Sequence, residues 1–324
     1  HLSKVDEAFK IEGNGAQAYL NIKEIIAVAK KSKVDAIHPG YGFLSENSSF
    51  ASAAKRAKIK FVGPSERTLK IFGDKTSAKE LALSLGIPVI AGTKQKTTLK
   101  QAQDFLKSLK KNSSVVIKAI SGGGGRGMRV VSKPDDLKES FDRASSEAKA
   151  SFDSPDLYLE EYLRDYRHIE FQILGDGTGA VSHLHERECS IQRRYQKLIE
   201  IAPSPSLNVD LKSRMIEASL ALTQKLKYEG LATIEFLVNI EKNDFRFIEC
   251  NPRLQVEHTV TESVLSLDLV RAQLQIASGK TLKQIKLEQE NVPEPQGYAI
   301  QSRVNMETID SQGNANPGGG IFEN

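Results

Sequence analysis

Residues 249–258 read ECNPRLQVEH, which places a polar side chain at every second position from Glu249 to Glu257. On an extended backbone, successive side chains point to opposite faces of the strand. One face would therefore carry hydrogen-bonding groups, and the other would carry Cys, Pro, Leu and Val. The polar residues are Glu249, Asn251, Arg253, Gln255 and Glu257. So many different polar groups in a row predict a strand that binds a cation, orients an anion and moves a proton.

Length and composition predict a globular chain with more than one structural unit. The 324 residues suggest two or three units. A hydrophobic content of 39% and a charged content of 27% allow a buried core. The net charge of +4 gives no reason to expect a nucleic acid or membrane partner, and no apolar run is long enough for a transmembrane helix. Two cysteines make no disulfide framework, which favours a reducing compartment.

The first part of the chain alternates helical and strand-like segments. Asn21 is followed three residues later by Glu24, an arrangement typical of a helix start. Short apolar runs at 34–37 and 60–64 predict buried strands, the first leading into a Pro- and Gly-rich loop. Strands alternating with helices predict a parallel α/β unit over residues 1–72.

The remainder of the chain predicts antiparallel sheets with helices, an α+β arrangement. The glycine-rich residues 175–179 lie between strand-like segments at 170–174 and 180–184, which is typical of a hairpin. A second hairpin is expected to join 232–240 to 245–249. A helix after Pro205 is expected to end at Gly230.

Residues 121–128 read SGGGGRGM, and glycines allow backbone amides to approach a phosphate closely. The run fits GxGxxG, but it leads into the strand-like residues 128–131 and not into a helix. It therefore predicts a hairpin flap over a nucleotide, with Lys118 at its root. The alternative is a flexible loop without a ligand.

Glu235 and Glu249 are predicted to lie on adjacent strands of one hairpin, opposite or diagonal to each other. Two carboxylates that close repel unless one is protonated or a cation lies between them. A nucleotide-bound Mg²⁺ is a suitable cation, and Asn251 could add an oxygen. The alternative is a pair of exposed glutamates on a solvated strand.

Other polar residues are less specific. Four cations in residues 187–197 predict an anion-attracting segment or a solvated basic loop. Taken alone, His168 is more often structural, Arg303 is typical of a strand surface, and Tyr41 and Gly42 of a turn. Lys75 is unfavourably placed near a helix N-terminus, which hints at an anion partner.

Four motifs together resemble biotin carboxylase, an ATP-grasp ligase that performs the first half-reaction of biotin-dependent carboxylases. They are HPGYGFLSEN at 38–47, the glycine run at 121–128, QRRYQK at 192–197 and ECNPRLQVEH at 249–258. The resemblance implies an ATP-grasp fold with a partial Rossmann-like N-terminal domain and a glycine-rich lid subdomain. Tyr195 departs from the family, which often has His there, and this affects an expected contact at the ribose edge.

The resemblance also implies a division into domains. Residues 1–72 would form the partial N-terminal domain, and 73–162 the first part of the ATP-grasp unit, with the lid from about 90 to 162. Residues 163–324 would carry the metal and bicarbonate site and run into an incomplete C-terminal domain. Family domains have a further strand–helix–strand before His1 and a further segment after Asn324, so we expect a piece of a longer protein.

The resemblance implies an ATP site. Two lysines would contact the phosphates, the glycines would close over them, and the Glu160–Leu163 segment would form the adenine-side hinge. The expected nucleotide-binding residues are Lys75, Lys118, Gly123, Gly124, Gly125, Glu160, Leu163, His168, Gln192 and Leu237, with Leu237 beneath the base.

The resemblance implies a second group of residues for the metal and the other substrates. Mg²⁺ or Mn²⁺ would be held by Glu235, Glu249 and Asn251. Bicarbonate would be bound by Lys197, Arg253, Gln255 and Val256 and deprotonated by Glu257. Arg303 would stabilise the biotin enolate, with Tyr41 and Gly42 near biotin.

The implied function is ATP- and bicarbonate-dependent carboxylation of biotin through carboxyphosphate. The implied partners are a biotin carboxyl carrier domain and a carboxyltransferase, in the same chain or a separate subunit, and a homo-oligomer is compatible. The expected location is the cytoplasm, with the mitochondrial matrix as an alternative. Alternative functions are another ATP-grasp ligase, similar to carbamoyl-phosphate synthase, and an inactive nucleotide-binding scaffold.

Overall fold

The computed structural model describes residues 4–93, 96–120, 128–193, 195–311 and 315–318. Its α-helices are α1 (Ile22–Lys31), α2 (Ser48–Arg56), α3 (Glu66–Gly73), α4 (Lys75–Ser84), α5 (Leu99–Ser108), α6 (Leu137–Phe152), α7 (Val209–Lys225), α8 (His258–Leu265), α9 (Leu269–Ala277) and α10 (Leu282–Ile285). Short 3₁₀ helices cover Gly15–Leu20, Pro134–Asp136 and Gln289–Asn291. Among the described helices, each is too short or too polar to cross a lipid bilayer.

The strands fall into separate sheets. They are β1 (Ala36–Ile37), β2 (Lys60–Phe61), β3 (Ser114–Ala119), β4 (Arg129–Val131), β5 (Leu157–Tyr162), β6 (Arg167–Asp176), β7 (Val181–Arg193), β8 (Gln196–Ala202), β9 (Glu229–Asn239), β10 (Asp244–Asn251), β11 (Ala299–Ser302), β12 (Glu307–Ile309) and β13 (Ala315–Pro317). The described strands pair as β1-β2, β4-β3-β5, β10-β9-β6-β7-β8-β11 and β12-β13.

The N-terminal part is a parallel α/β unit, as the sequence predicts. β1 and β2 pair in parallel, and α1, α2 and α3 surround a small core that includes Phe50, Phe61 and Leu69. The side chain of Asn21 accepts a hydrogen bond from the backbone N–H of Glu24 at 3.2 Å and so begins α1. The first strand is shorter than expected.

The central sheet is antiparallel throughout its described pairs. One face is apolar: Phe171 and Phe236 pack against each other and lie in one core with Met215 of α7. α8 and α9 cover the far end of the other face. The near end of that face carries the polar side chains of β6, β9 and β10, so a buried sheet positions the polar groups.

The small sheet β4-β3-β5 packs against α5 and α6 through an apolar core that includes Ile117 and Leu159. β3 and β4 are antiparallel neighbours. Residues 121–127, which join them, lie outside the described residues, and so do the expected contacts of Gly123, Gly124 and Gly125.

Two expectations about elements are wrong. The extended strand predicted over 249–257 stops at Asn251, and α8 begins at His258. Pro252 has no backbone N–H to continue the ladder, which favours a strand end there. The helix after Pro205 ends at Lys225, and Gly230 instead lies in β9 with a φ of +93° and passes close to Gly63.

Candidate active site

A row of charged side chains crosses the central sheet from β10 to β7. Glu249 lies directly opposite Glu235, Glu235 opposite Glu170, and Glu170 opposite Arg187. Directly opposed side chains on neighbouring strands are close enough to interact strongly. Three adjacent carboxylates therefore need positive charge nearby.

Lys197 of β8 supplies part of that charge. Its Nζ donates to Glu170 Oε2 at 2.5 Å, to Glu235 Oε1 at 2.9 Å and to Glu257 Oε1 at 2.7 Å. Burial opposes the charge on the ammonium group, but the carboxylates outweigh it and hold the pKa of Lys197 well above its ordinary value. A fixed cation thus lies at the centre of the polar face.

Glu249 has a different environment, because in the described residues its carboxylate has no hydrogen bond or ion pair. Burial and then the charge of Glu235 raise its pKa, while Lys75 and Lys118 act in the opposite direction. A carboxylate pair in this state fits a divalent cation, which prefers oxygen ligands. The donor set of Glu235, Glu249 and Asn251 therefore suits Mg²⁺ or Mn²⁺.

Asn251 connects the carboxylate row to Arg253. Its Nδ2 donates to Glu235 Oε1 at 2.7 Å, and its Oδ1 accepts from Arg253 Nη2 at 3.2 Å. Gln255 also donates to Glu235 Oε1, at 3.2 Å. Although 252–257 is not a strand, its polar side chains reach the same face of the sheet that the sequence predicted.

His168 and Gln192 meet at the edge of this cluster. Gln192 Nε2 donates to the carbonyl oxygen of Cys189 at 2.8 Å and to His168 Nδ1 at 2.7 Å. Because Nδ1 accepts, the proton of a neutral imidazole is on Nε2, which donates to Glu235 Oε2 at 2.7 Å. His168 is therefore part of the polar cluster and not an isolated structural histidine.

Glu257 lies between two cations at the N-terminus of α8. It accepts from Lys197 at 2.7 Å and from Arg303 Nη2 at 3.0 Å. Arg303 Nε also donates to Glu200 Oε1 at 2.6 Å. Burial favours the protonated form of Glu257, but Lys197 and then Arg187 outweigh it and lower the pKa. Glu257 is therefore kept as a carboxylate.

The segment 187–197 is not a solvated loop, because its described residues form most of the β7–β8 hairpin. Arg187 is fully buried and donates to Glu170 at 2.6 Å. Its other acceptors are Gln172, Thr261, Thr233 and Gln255. The prediction of an anion-attracting segment is wrong for Arg187, whose charge is used to compensate a buried carboxylate.

A second charged group lies between α4 and the small sheet. Both Lys79 and Lys118 donate to the carboxylate of Glu160, the latter at 2.5 Å. Burial would raise the pKa of Glu160, but the two lysines lower it to about 2. Lys75 lies one turn before Lys79, in the first turn of α4. Lys75 and Lys118 also bring positive charge near Glu249.

The remaining predicted residues occupy the periphery. Leu237 lies directly opposite His168 on the sheet, and Leu163 is half-buried just after β5. Val256 is half-buried in the turn before α8. Tyr41 and Gly42 lie on the exposed loop 38–47, where the described residues show no hydrogen bond between Tyr41 and the polar cluster. Tyr195 lies in the β7–β8 turn and is 46% exposed.

Sequence reasoning missed the partners of the predicted residues. Glu170 could have been found, because His168, Glu170 and Gln172 alternate along one strand and thus share its face. The others gave no local signal, since their partners are distant in sequence. These residues are Glu46, Lys79 and Glu200.

Comparisons with known proteins agree with this arrangement. Residues 1–69 match the family described as "Biotin carboxylase, N-terminal domain". Residues 74–285 match "Carbamoyl-phosphate synthase L chain, ATP binding domain". Pyruvate carboxylase of Bacillus subtilis is 47% identical over 316 residues, which are 95% of this chain and 27% of that protein. The chain thus spans about a quarter of the length of this relative.

Solved structures show the same fold. A biotin carboxylase complex from Campylobacter jejuni matches with a TM-score of 0.89 and 39% identity, over 96% of this chain and 68% of that one. The biotin carboxylase domain dimer of Hydrogenobacter thermophilus 2-oxoglutarate carboxylase matches with a TM-score of 0.88 and 39% identity, over 94% and 66%. The chain therefore has the ATP-grasp fold and belongs to the biotin carboxylase family.

Proposed function

We propose that this chain uses ATP and bicarbonate to carboxylate biotin held on a carrier domain. One observation carries the proposal: the buried Glu257 carboxylate accepts hydrogen bonds from Lys197 and Arg303, next to a carboxylate pair suited to a divalent cation. A general base must be ionised and within reach of the proton that it takes. The cluster thus combines a base, an anion site and a metal site.

The residues support a stepwise reaction. Bicarbonate bound near Lys197 and Arg253 loses its proton to Glu257, and its oxygen attacks the γ-phosphorus of ATP. A new oxygen–phosphorus bond forms as the bond to ADP breaks, which gives carboxyphosphate. Mg²⁺ held by Glu235 and Glu249 would supply charge neutralisation for the phosphates. Lys75 and Lys118 add positive charge near Glu249.

The second half of the reaction involves Arg303. Carboxyphosphate breaks down to CO₂ and phosphate, and the phosphate can take the proton from biotin N1. The resulting enolate attacks CO₂, and the guanidinium of Arg303 is the cation that would stabilise it. Two of its five N–H donors already bond to Glu200 and Glu257 in the described residues, which fixes the group and leaves donors for a ligand.

Relatives support the choice of ligands and partners. The Campylobacter jejuni structure is described as a β,γ-ATP complex, and the Hydrogenobacter thermophilus dimer as a complex with MgADP, ADP and bicarbonate. We therefore propose ATP, Mg²⁺ or Mn²⁺, and bicarbonate as ligands, and a homo-oligomer as the assembly. A biotin carboxyl carrier domain, a carboxyltransferase, a cytoplasmic location and the domain limits at 72 and 162 remain predictions.

A second candidate follows from the family matched by residues 74–285, whose description names carbamoyl-phosphate synthase. Such a ligase would share the metal site but act on a carbamate-type intermediate. The match of residues 1–69 to the biotin carboxylase N-terminal domain favours the first function. An inactive scaffold is disfavoured, because it would have no need of a Glu257 that accepts from both Lys197 and Arg303.

The test is phosphate release from MgATP with bicarbonate, with and without free biotin, on this chain and on any longer protein that contains it. Stimulation by biotin would support biotin carboxylation. Bicarbonate-dependent release that ammonia stimulates and biotin does not would favour the carbamoyl-phosphate type. ATP binding without any phosphate release in either protein would favour a scaffold.

A further inference from the structure

Arg253, predicted to bind bicarbonate, is held by a residue from a distant part of the chain. Its Nε donates to Glu46 Oε1 at 2.5 Å, across a sequence separation of 207 residues. Its Nη1 donates to the carbonyl oxygen of Leu254 and its Nη2 to Asn251 Oδ1, both at 3.2 Å. Three of the five guanidinium donors are thus used in the described residues, one on each nitrogen.

This pattern leaves one N–H on each terminal nitrogen of Arg253. A guanidinium presents such a pair of donors to a planar carboxylate in two parallel hydrogen bonds. Bidentate binding depends on the rotation of the guanidinium plane, and the Nε contact to Glu46 fixes that rotation. The side chain of Arg253 is only 21% exposed, so little solvent competes for its donors.

Glu46 is itself well positioned. It precedes Asn47, whose side chain accepts from the backbone N–H of Phe50 at 2.9 Å and begins α2. At the other end of the loop, His38 Nδ1 accepts from Gly40 N–H at 3.0 Å, and His38 Nε2 donates to Gln273 of α9 at 3.0 Å. The loop that carries Glu46 is therefore anchored at both ends independently of Arg253.

We infer that Glu46 is a positioning residue that orients the Arg253 guanidinium for a planar anion, which deepens and rests on the proposed bicarbonate-dependent reaction. If only the charge of Glu46 mattered, its removal would have the opposite effect on bicarbonate affinity. Glu46 lowers the net positive charge at Arg253, so removing it would strengthen attraction of bicarbonate if orientation were unimportant. The sign of the change in bicarbonate affinity therefore separates orientation from simple charge attraction.

The experiment compares Glu46→Ala and Glu46→Gln with the wild type by steady-state ATP cleavage at varied bicarbonate and varied ATP. We expect Glu46→Ala to raise the KM for bicarbonate about tenfold, because a hydrogen bond between charged groups is worth roughly this factor. The KM for ATP should change less than about twofold. Glu46→Gln should fall between, since its amide oxygen can still accept from Nε.

Glu66→Gln and Glu66→Ala are matched controls. Glu66 pairs with Lys70 at 2.6 Å, and its side chain is 37% exposed against 38% for Glu46. Its ion pair lies within one turn of α3, so bicarbonate kinetics should not change. If the Glu46 variants match these controls, or if their bicarbonate KM falls, the inference is overturned.

A binding measurement separates this inference from the proposed function. Line broadening of ¹³C-bicarbonate on adding the protein with MgADP reports anion binding without ATP cleavage. A wild type that broadens the signal more than the Glu46 variants supports the inference even if no ATP is cleaved. Equal broadening by wild type and variants contradicts it, whereas absent cleavage with intact broadening counts only against the proposed reaction.

Discussion

Glu257 illustrates how residue chemistry is set by neighbours and not by burial alone. Burial by itself would favour its neutral acid, yet the charges of Lys197, at 2.7 Å, and then of Arg187 outweigh burial, lower its pKa and keep it charged. An ionised carboxylate can accept a proton at neutral pH, whereas a protonated one cannot. The two cations therefore prepare the base for its proposed role.

Replacing this base tests the role directly. We expect Glu257→Gln to lower the bicarbonate-dependent rate of ATP cleavage by at least about 100-fold, the usual contribution of a positioned base. The Kd for MgATP should change little, because Glu257 contacts Lys197 and Arg303 and not the lysines of the nucleotide side. ATP titration calorimetry and phosphate release are the measurements. Glu229→Gln, which breaks a different lysine pair, is the control.

Equal loss of ATP affinity and of ATP cleavage in Glu257→Gln would show a structural role instead.

Arg303 should separate the two half-reactions. In Arg303→Ala, biotin carboxylation should fall by about 100-fold or more, the cost of removing a group that stabilises developing negative charge. Bicarbonate-dependent ATP cleavage should fall less, because the Lys197 contact still holds Glu257 in its ionised state. The two rates are measured by ¹⁴C-carboxybiotin formation and phosphate release, with Arg143→Ala as a control at an exposed ion pair within α6. A uniform loss would contradict the enolate role.

Among single residues, sequence reasoning identified those whose neighbours in the chain already look unusual. Glu249, Glu257 and Lys197 lie in dense polar motifs. Arg187 lies in such a motif too, but its burial against Glu170 depends on which strands pair. Glu46 lies in the motif at 38–47 and Lys79 in α4, but only the fold brings them to Arg253 and Glu160.

At the scale of elements, α4 and the small sheet are joined by a buried carboxylate. Glu160 of β5 is 3% exposed and accepts from Lys79 of α4 and Lys118 of β3. Because the two lysines lower its pKa to about 2, its charge stabilises the folded state wherever it is ionised.

Glu160→Gln should change how stability depends on pH. The wild-type contribution is fully present above the ordinary pKa of 4.5 and is lost as pH falls toward about 2. At neutral pH the variant should lose about 3 kcal/mol of unfolding free energy, because lowering the pKa of Glu160 to about 2 corresponds to a free energy of this size. Urea unfolding at several pH values measures this, with Glu161→Gln on the same strand as the control. Parallel curves for wild type and Glu160→Gln would contradict the pairing.

Element boundaries were predicted correctly where the residues that define them are close together in the sequence. Caps such as Asn21 were predicted because the side chain and the backbone N–H that donates to it are three residues apart. The polar alternation of 249–257 wrongly predicted a continuous strand. It continues past the end of β10 into a turn, whose polar side chains reach the same face of the sheet. Gly230 looked like a helix end, but it lies in β9 with a φ of +93°, a backbone conformation that residues other than glycine rarely adopt.

At the scale of the whole molecule, polar contacts join the N-terminal unit to the central sheet. His38 bonds to Gln273, Glu46 to Arg253, and Lys60 to Glu229. On the other side, lysines of α4 and β3 lie near Glu249 of β10. A nucleotide bound between these lysines and the carboxylate pair would contact separate sheets at once.

MgATP should therefore stabilise the molecule as one unit, and more strongly as pH rises. At about 100 times its Kd it should add about 2.7 kcal/mol to the unfolding free energy. Because the pKa of Glu249 is raised, acid protonates a proposed metal ligand, so the gain should shrink as the pH falls. Urea unfolding with MgATP, with ATP and EDTA, and with Glu249→Gln measures this.

Separate transitions for the two sheets, or a gain in stability that does not vary with pH, would contradict this picture.

The cross-strand row of Glu249, Glu235, Glu170 and Arg187 has one more consequence. A slip of one residue in any of these strands would turn all of its side chains to the opposite face. Such a slip in β9 would bring Ile234 or Phe236 into the row and push the Glu235 carboxylate into the aromatic core. Misaligned strands would thus be destabilised in two ways, by a buried unpaired charge and by an exposed aromatic ring. The same four side chains that form the proposed site would therefore also favour correct strand alignment during folding.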